Sequence, residues 1–404
     1  MKKGWQTKRL CEVSDVFDGP HATPKTVDSG PIFLGIGALQ DGIINLGETR
    51  HVTEEDFKKW TRRVLPQPDD VVFSYETRLG QAAIIPEGLE CCLGRRMGLV
   101  RFKSGAVAPR FFLYQYLSPA FREFLDSKTI RGATVDRFSI KDFPSFPIAV
   151  PPLPEQQRIV GLLDEAFKGL ATAIANAEKN LHNARALFES HLQSVFTQRG
   201  KGWVRTTLEK VLTTQPQNGW SPPAANHSAS GTPVLTLSSV TGFRFRRDKR
   251  KFTSATTDSR RNYWIKNGDF LITRSNTPEL VGHVAIAEGI TEPTIYPDLI
   301  MRMNPDPARM LAEFLYFQMR TPTLRKEIMG RAQGANPTMK KISNGAVRTL
   351  PITMPPIATQ QAIVATLNEL TEQTQRLASL YERKLAALEA LKKSLLHQAF
   401  TGEL

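Results

Sequence analysis

From Ile159 onward an apolar residue returns every three or four positions: Ile159, Leu163, Ala166, Leu170, Ala173, Ala177, Leu181, Ala184, Phe188, Leu192 and Val195. That alternation traces one stripe along a helix and reads as a coiled-coil seam. A second series does the same near the end of the chain, through Ile363, Leu367, Leu370, Leu377, Leu385, Leu388, Leu391 and Leu395. Pro151, Pro152 and Pro154 end an extended segment and stop the first helix from running backwards. Glu155 suits the positive end of that helix. At 1.5 Å per residue, about 40 residues make a rod of roughly 60 Å. Elsewhere the pattern changes. Short apolar runs at 70–74, 81–85 and 99–102 read as strands. Residues 111–125 read as one helix, with Gly and Pro punctuating the rest.

The two halves follow one plan. Gly4-Trp5 returns as Gly202-Trp203, and Leu10 and Val13 as Leu208 and Val211. Asp70-Val71-Val72-Phe73-Ser74 parallels Asp269-Phe270-Leu271-Ile272-Thr273. Phe112-Leu113-Tyr114 returns as Phe314-Leu315-Tyr316, and Gly132-Ala133 as Gly334-Ala335. Residues 147–157 align with 351–361 at six identical positions of eleven, among them Gln156-Gln157 and Gln360-Gln361. The offset drifts from 198 to 204, as small loop insertions produce. The predicted fold is α+β, a pseudo-twofold internal repeat. Globular domains at 1–150 and 201–353 alternate with long helices at 151–200 and 354–404. Each rod carries one apolar stripe and needs a partner for it. The two rods are expected to pair as an antiparallel coiled-coil spacer with the globular domains at opposite ends. The alternative is that each helix packs on its own domain.

The chain has 404 residues, with 53 Lys and Arg against 39 Asp and Glu, a formal charge of +14. That surplus points to a polyanion, nucleic acid first. It is unevenly placed: residues 198–353 hold 23 basic and 11 acidic residues, against 21 and 18 for residues 1–150. The rods are close to neutral. No apolar run of about 18 residues occurs, so no membrane span is expected. The basic start at Met1-Lys2-Lys3 lacks a following apolar core, so no signal peptide is expected. Cys11, Cys91 and Cys92 fit neither a disulfide framework nor a zinc spacing. The expectation is a reducing, cytoplasmic setting.

The densest basic run is Arg244, Arg246, Arg247, Lys249, Arg250 and Lys251, interleaved with Phe243, Phe245 and Phe252. As a strand, it would set Arg244 and Arg246 on one face and the phenylalanines on the other, able to reach phosphates or a groove. The alternative is a solvated edge strand. Two further loops match between the halves: Tyr75, Glu76, Thr77, Arg78 and Gln81 against Arg274, Ser275, Asn276, Thr277 and His283, and Arg131, Thr134 and Arg137 against Gln333, Asn336, Lys340 and Lys341. Arg reads guanine and Asn or Gln reads adenine through paired hydrogen bonds. A kept frame with changed polar side chains is what two readers of two half-sites need.

Covalent chemistry finds little support. Phe33-Leu34-Gly35-Ile36-Gly37 has the form of an S-adenosylmethionine loop, but the second copy reads Leu235-Thr236-Leu237-Ser238-Ser239. Asn304-Pro305-Asp306 and Asn336-Pro337-Thr338 lack the second proline and aromatic of an adenine methylase motif. Asp69, Asp70, Glu76 and Arg78 come nearest to a nuclease site. Only Asp269 is kept in the second copy. No phosphate-binding loop of the ATPase form occurs.

With these residues in hand, the chain resembles the specificity subunits of type I restriction–modification systems. The resemblance spans the whole chain and is carried by residues 150–160, their repeat through Gln360-Gln361, Gly132-Ala133-Thr134, and the ending at 394–404. Ala358-Thr359 departs from Pro154-Glu155 of the first copy. The resemblance implies that each globular domain reads one part of a bipartite, asymmetric site on double-stranded DNA. It implies that the helices set the spacer and dock two methyltransferase subunits, with Gln156, Gln157, Gln360 and Gln361 as candidate contacts. It further implies a chain without catalysis or cofactor of its own, S-adenosylmethionine, ATP and Mg²⁺ being bound by modification and restriction/translocase partners. The other reading is a stand-alone two-headed DNA-binding scaffold or regulator.

Overall fold

Alternation of side chains across a strand places successive apolar residues on opposite faces. Val71 and Phe73 enter one hydrophobic cluster while Val72 enters another. In the second copy Phe270 and Ile272 divide from Leu271 in the same way. Each central sheet is therefore buried on both faces. That is why its strands read as unbroken apolar runs rather than as alternating ones.

In the computed structural model all residues are described except Met1–Lys3, Ser104, Ala133, Thr134 and Pro337. The first central sheet is antiparallel, ordered Ser14–Asp18, Met97–Phe102, Val71–Ser74, Ala82–Ile84. The second has the same order in Leu212–Asn218, Ile300–Pro305, Phe270–Thr273, Val284–Ile286. A two-stranded ribbon closes each copy just before its long helix. Gln6–Arg9 pairs with Pro147–Val150, and Val204–Thr207 with Pro351–Met354. The predicted helix over 111–125 is two helices, Pro109–Leu117 and Pro119–Lys128. Pro119 disfavours helical backbone at Ser118, and the Ser118 hydroxyl caps the new start by accepting from the Phe121 N–H. Thr321 and Pro322 repeat this break between Ala312–Arg320 and Pro322–Arg331.

The long helices span Leu153–Thr197 and Ile357–Thr401. Two compact units cut across both. One gathers residues up to Lys179 with Glu382–Leu404, and the other is Asn180–Tyr381. In the first unit the two helices run antiparallel. The Arg158 guanidinium donates to the Leu404 carbonyl at 2.9 Å, and the Lys392 ammonium lies 5.9 Å from the centre of the Phe167 ring. Ile159, Leu163, Leu396 and Ala399 also join the core of the globular part. Helix pairing and packing on the domain, posed as alternatives, thus occur together. In the second unit Phe188, Leu192, Phe196 and Leu367 join the core in the same manner. From Leu163 to Ala184 the first seam is buried at one residue per heptad, Leu163, Leu170, Ala177 and Ala184, and it is buried more closely toward its ends, at Ile159, Phe188 and Leu192. The second departs from expectation: Leu377 and Leu391 are 40 % and 47 % exposed, and Thr374 is buried in the stripe instead.

Candidate nucleic-acid interface

In both copies the two matching loops meet, although some 55 to 65 residues separate them in sequence. In the first unit Glu76 and Arg137 form an antiparallel bridge. The Thr77 N–H donates to Asp136 O at 3.0 Å and the Phe138 N–H to Tyr75 O at 3.1 Å. In the second unit Ser275–Asn276 pairs with Lys340–Lys341, and the Ile342 N–H donates to Arg274 O at 2.9 Å. Each pair of loops is one hydrogen-bonded ledge. Arg131, Thr77 and Arg137 are exposed on the first, Asn336 and Lys341 on the second. Thr134 lies outside the described residues.

A third loop is tied to each ledge. Arg78 donates to the Gly37 carbonyl at 2.8 Å. The Gln81 side chain accepts from the Asp41 N–H at 2.7 Å and donates to the Asp41 carboxylate at 3.1 Å. In the second copy His283 takes this place, its Nδ1 accepting from the Gly242 N–H at 2.9 Å. Asn276 donates to the Thr241 hydroxyl at 3.3 Å. The turn that presents Gln81 and His283 is held from behind by an arginine in each copy. Arg122 donates to Leu79 O and Arg325 to Val281 O. These arginines went unremarked in the sequence. Their near-equal spacing after Gly80 and Gly282, 42 and 43 residues, with both glycines at left-handed φ of 77° and 72°, was the available signal.

Several candidate residues have other tasks. Ser275 is 1 % exposed and cannot touch a ligand. The Gln81 amide spends one N–H and one acceptor site on holding Asp41. The basic run is not the alternating strand that its sequence predicts. Gly242 and Phe243 stand at φ of 91° and 58°, which turns the chain, and a strand begins only at Arg250. Arg246 bends back to the carbonyls of Ser238 and Thr241, at 3.0 and 2.7 Å. Arg247 donates to Gly289 O, Lys249 faces Asp248, and Lys251 meets His227. Arg274 reaches Asp298 O at 3.5 Å. Asn276 also accepts from the Thr277 N–H, and Asn336 closes its own turn on Thr338. Lys340 donates to Gly334 O at 2.7 Å.

The largest correction concerns the repeated glutamines. Gln156 and Gln360 are 0 % exposed. Gln156 accepts from the Ala108 N–H at 2.8 Å and donates to Ala106 O and Pro151 O at 3.2 and 2.9 Å. Gln360 accepts from the Leu311 N–H at 2.9 Å and donates to Arg309 O and Pro355 O at 2.8 and 2.9 Å. These amides clamp each long helix to its globular part, so neither is available to a partner subunit. Gln157 and Gln361 beside them are exposed.

The carboxylates weighed as a nuclease site are also structural. Asp70 is 2 % exposed, caps the Gln67 N–H at 2.8 Å and takes two hydrogen bonds from Arg101 at 2.8 and 2.6 Å. Asp269 repeats this with the Lys266 N–H, Asn304 and Arg302. Glu76 pairs with Arg96 at 3.1 Å. Among the described residues no group of three or more His, Cys, Asp or Glu side chains is placed to hold a metal ion. No helix among them is long and apolar enough to cross a membrane.

Comparison with known proteins agrees with this two-copy design. The chain is 24 % identical, over 83 % of its length and 75 % of the relative's, to the type I restriction enzyme EcoKI specificity subunit of Escherichia coli strain K12. It is 22 % identical over 48 % of its length to the EcoEI specificity subunit of Escherichia coli, covering 34 % of that protein. Among solved structures, a chain from a study of complex assembly and conformational transition of the type I R-M system aligns with a TM-score of 0.79 and 20 % identity, over 100 % of this chain and 99 % of that one. The HsdS subunit from Thermoanaerobacter tengcongensis aligns with a TM-score of 0.60 and 20 % identity, over 100 % and 98 %. The sequence profile described as type I restriction modification DNA specificity domain matches residues 2–181 and again 200–385. With two copies covering most of its length, the chain belongs to the family of type I restriction–modification DNA specificity domains.

Proposed function

We propose that each unit reads one half of a bipartite, asymmetric site on double-stranded DNA, so that the chain gives a restriction–modification complex its sequence specificity. One observation carries this reading. In each unit two distant loops are hydrogen-bonded into one ledge whose frame is the same in both copies while its exposed side chains differ. A shared frame with unlike tips suits two readers of two sequences. The basic surplus supplies salt-dependent phosphate attraction, and base-edge contacts from the ledges supply discrimination.

The remaining parts of the reading follow from the family. The long helices fix the spacing between the two half-sites and dock two methyltransferase subunits, with Gln157 and Gln361 on their exposed faces. The chain performs no covalent step. S-adenosylmethionine, ATP and Mg²⁺ belong to the modification and restriction subunits, in the cytoplasm where the DNA is. Adenine methylation mapped across the source genome, with the gene intact and deleted, tests this. One bipartite methylated motif should vanish on deletion. An unchanged methylation map, together with no methyltransferase recovered on the purified chain, would favour a stand-alone DNA-binding scaffold.

A further inference from the structure

The basic run 244–251 looks uniform in sequence, and the fold makes it unequal. Arg246 and Arg247 are bound to backbone carbonyls, Lys249 to Asp248, Arg250 to Glu292 and Lys251 to His227. Arg244 is exposed and, among the described residues, has no hydrogen bond or ion pair. It follows directly on a corner that is costly to hold. Phe243 has φ of 58°, a conformation a bulky side chain keeps only when its surroundings impose it.

The surroundings that impose it are specific. The His283 ring stacks on the Phe243 ring with centroids 4.0 Å apart and planes 26° apart. His283 Nδ1 accepts from the Gly242 N–H, and its Nε2 donates to Glu279 O at 3.0 Å. The Tyr316 hydroxyl donates to Phe243 O at 2.7 Å. The guanidinium carbons of Arg320 and Arg325 lie 5.5 and 5.6 Å from the Phe243 ring centre. His283 must be neutral to accept at Nδ1. Its burial, with Arg325 and then Arg320 nearby, pushes its pKa down to about 4. The first copy reaches the same end by other means. Gln81 occupies the equivalent place before its strand and accepts from the Asp41 N–H, beside Gly42 at φ of 100°.

We propose that His283 is a positioning residue for DNA binding: through the Gly242–Phe243 corner it aims Arg244 at a backbone phosphate. This rests on the reading that the second unit binds DNA. His283 contacts no DNA in this scheme, and the corner transmits its effect. The first copy adds a condition that can be tested. Any side chain offering an acceptor at the same point serves, so glutamine can replace histidine at 283.

The test uses the full-length chain and a mixed-sequence 40-base-pair duplex, with affinity measured between 50 and 200 mM salt. Arg244→Ala removes one phosphate contact, so the slope of log affinity against log salt should shrink by about 0.9. The ratio of wild-type to variant affinity should then grow about 3.5-fold as salt falls across that range. His283→Leu should shrink the slope equally, and adding it to Arg244→Ala should change nothing further. His283→Gln should restore the wild-type slope. Should His283→Leu fail to fold, His283→Phe, which keeps a ring against Phe243 but offers Gly242 no acceptor, carries the same expectation. A wild-type slope in Arg244→Ala overturns the proposal. So does a wild-type slope in a folded His283→Leu or His283→Phe, or an effect of either that persists undiminished beside Arg244→Ala. No salt-dependent binding by the wild-type chain would instead overturn the DNA-binding reading itself.

Discussion

Replacing Gln360 by alanine removes one side chain and strands three backbone groups. The Leu311 N–H loses its acceptor, and the carbonyls of Arg309 and Pro355 lose their donor. All three surround a side chain with no solvent exposure. A buried polar group left without a partner costs about 1–3 kcal/mol. Carbonyls are more tolerant than an N–H, and a water molecule can enter the vacated space, so a total of about 2–4 kcal/mol is expected. Gln156 has the same three kinds of partner and is expected to cost the same within about 1 kcal/mol. Gln157→Ala and Gln361→Ala are the internal controls, since both side chains are exposed. They should lie within about 0.5 kcal/mol of wild type. Urea unfolding followed by tryptophan fluorescence reads both units. Trp5 packs on Phe111 in the first, and Trp203 on Phe196 and Phe314 in the second. With a slope of about 2–3 kcal/mol per molar, the affected transition should fall by about 0.7–2 M. Hydrogen exchange gives a local reading, because the amides of Ala108 and Leu311 should lose protection in the matching variant. Equal costs for Gln156→Ala and Gln157→Ala would refute the clamp, as would wild-type protection at those amides.

Three further outcomes follow from the same geometry. Arg101→Ala leaves the buried Asp70 carboxylate without its counter-charge and should destabilise the first unit by about 2–4 kcal/mol, read as a lowered urea midpoint. His283 has a folded pKa near 4 against an ordinary value of 6.5. Between those values only the unfolded chain takes the proton, so stability contributed by this group falls as pH drops from about 6.5 to about 4, by at most about 1.4 kcal/mol per pH unit. The difference in stability between wild type and His283→Gln, measured across pH, should show that slope; a flat difference contradicts the neutral, buried histidine. Finally, burial pushes the thiols of Cys91 and Cys92 up to about 12. Iodoacetamide at pH 8 should therefore label the exposed Cys11 alone until the first unit unfolds, as mass spectrometry of the labelled peptides would report.

Much of the architecture was legible in the chain itself. Apolar spacing marked both long helices, because a helix must bury one stripe whatever lies opposite. The repeat was legible because the residues that carry the frame are local and recur in order: the prolines before each helix, the Asp70 and Asp269 turns, and the paired glutamines. What those glutamines do was not legible. An exposed Gln157 and a buried Gln156 are the same letter, and only packing against the 106–108 segment separates them. The single helix expected over 111–125 failed at Ser118-Pro119, where a local backbone rule outweighs apolar spacing.

The sequence by itself determined the two-copy plan, the long helices and the basic balance, since each depends on composition or on short-range periodicity. Tertiary structure alone decided which polar side chains are free. Arg246 and Arg244 are neighbours in one basic run, yet two left-handed residues turn the first onto backbone carbonyls and leave the second in solvent. The ledges likewise exist only through hydrogen bonds between segments far apart in the chain. Their formation depends on how the sheets bring backbone donors and acceptors together, and no local pattern encodes that distance.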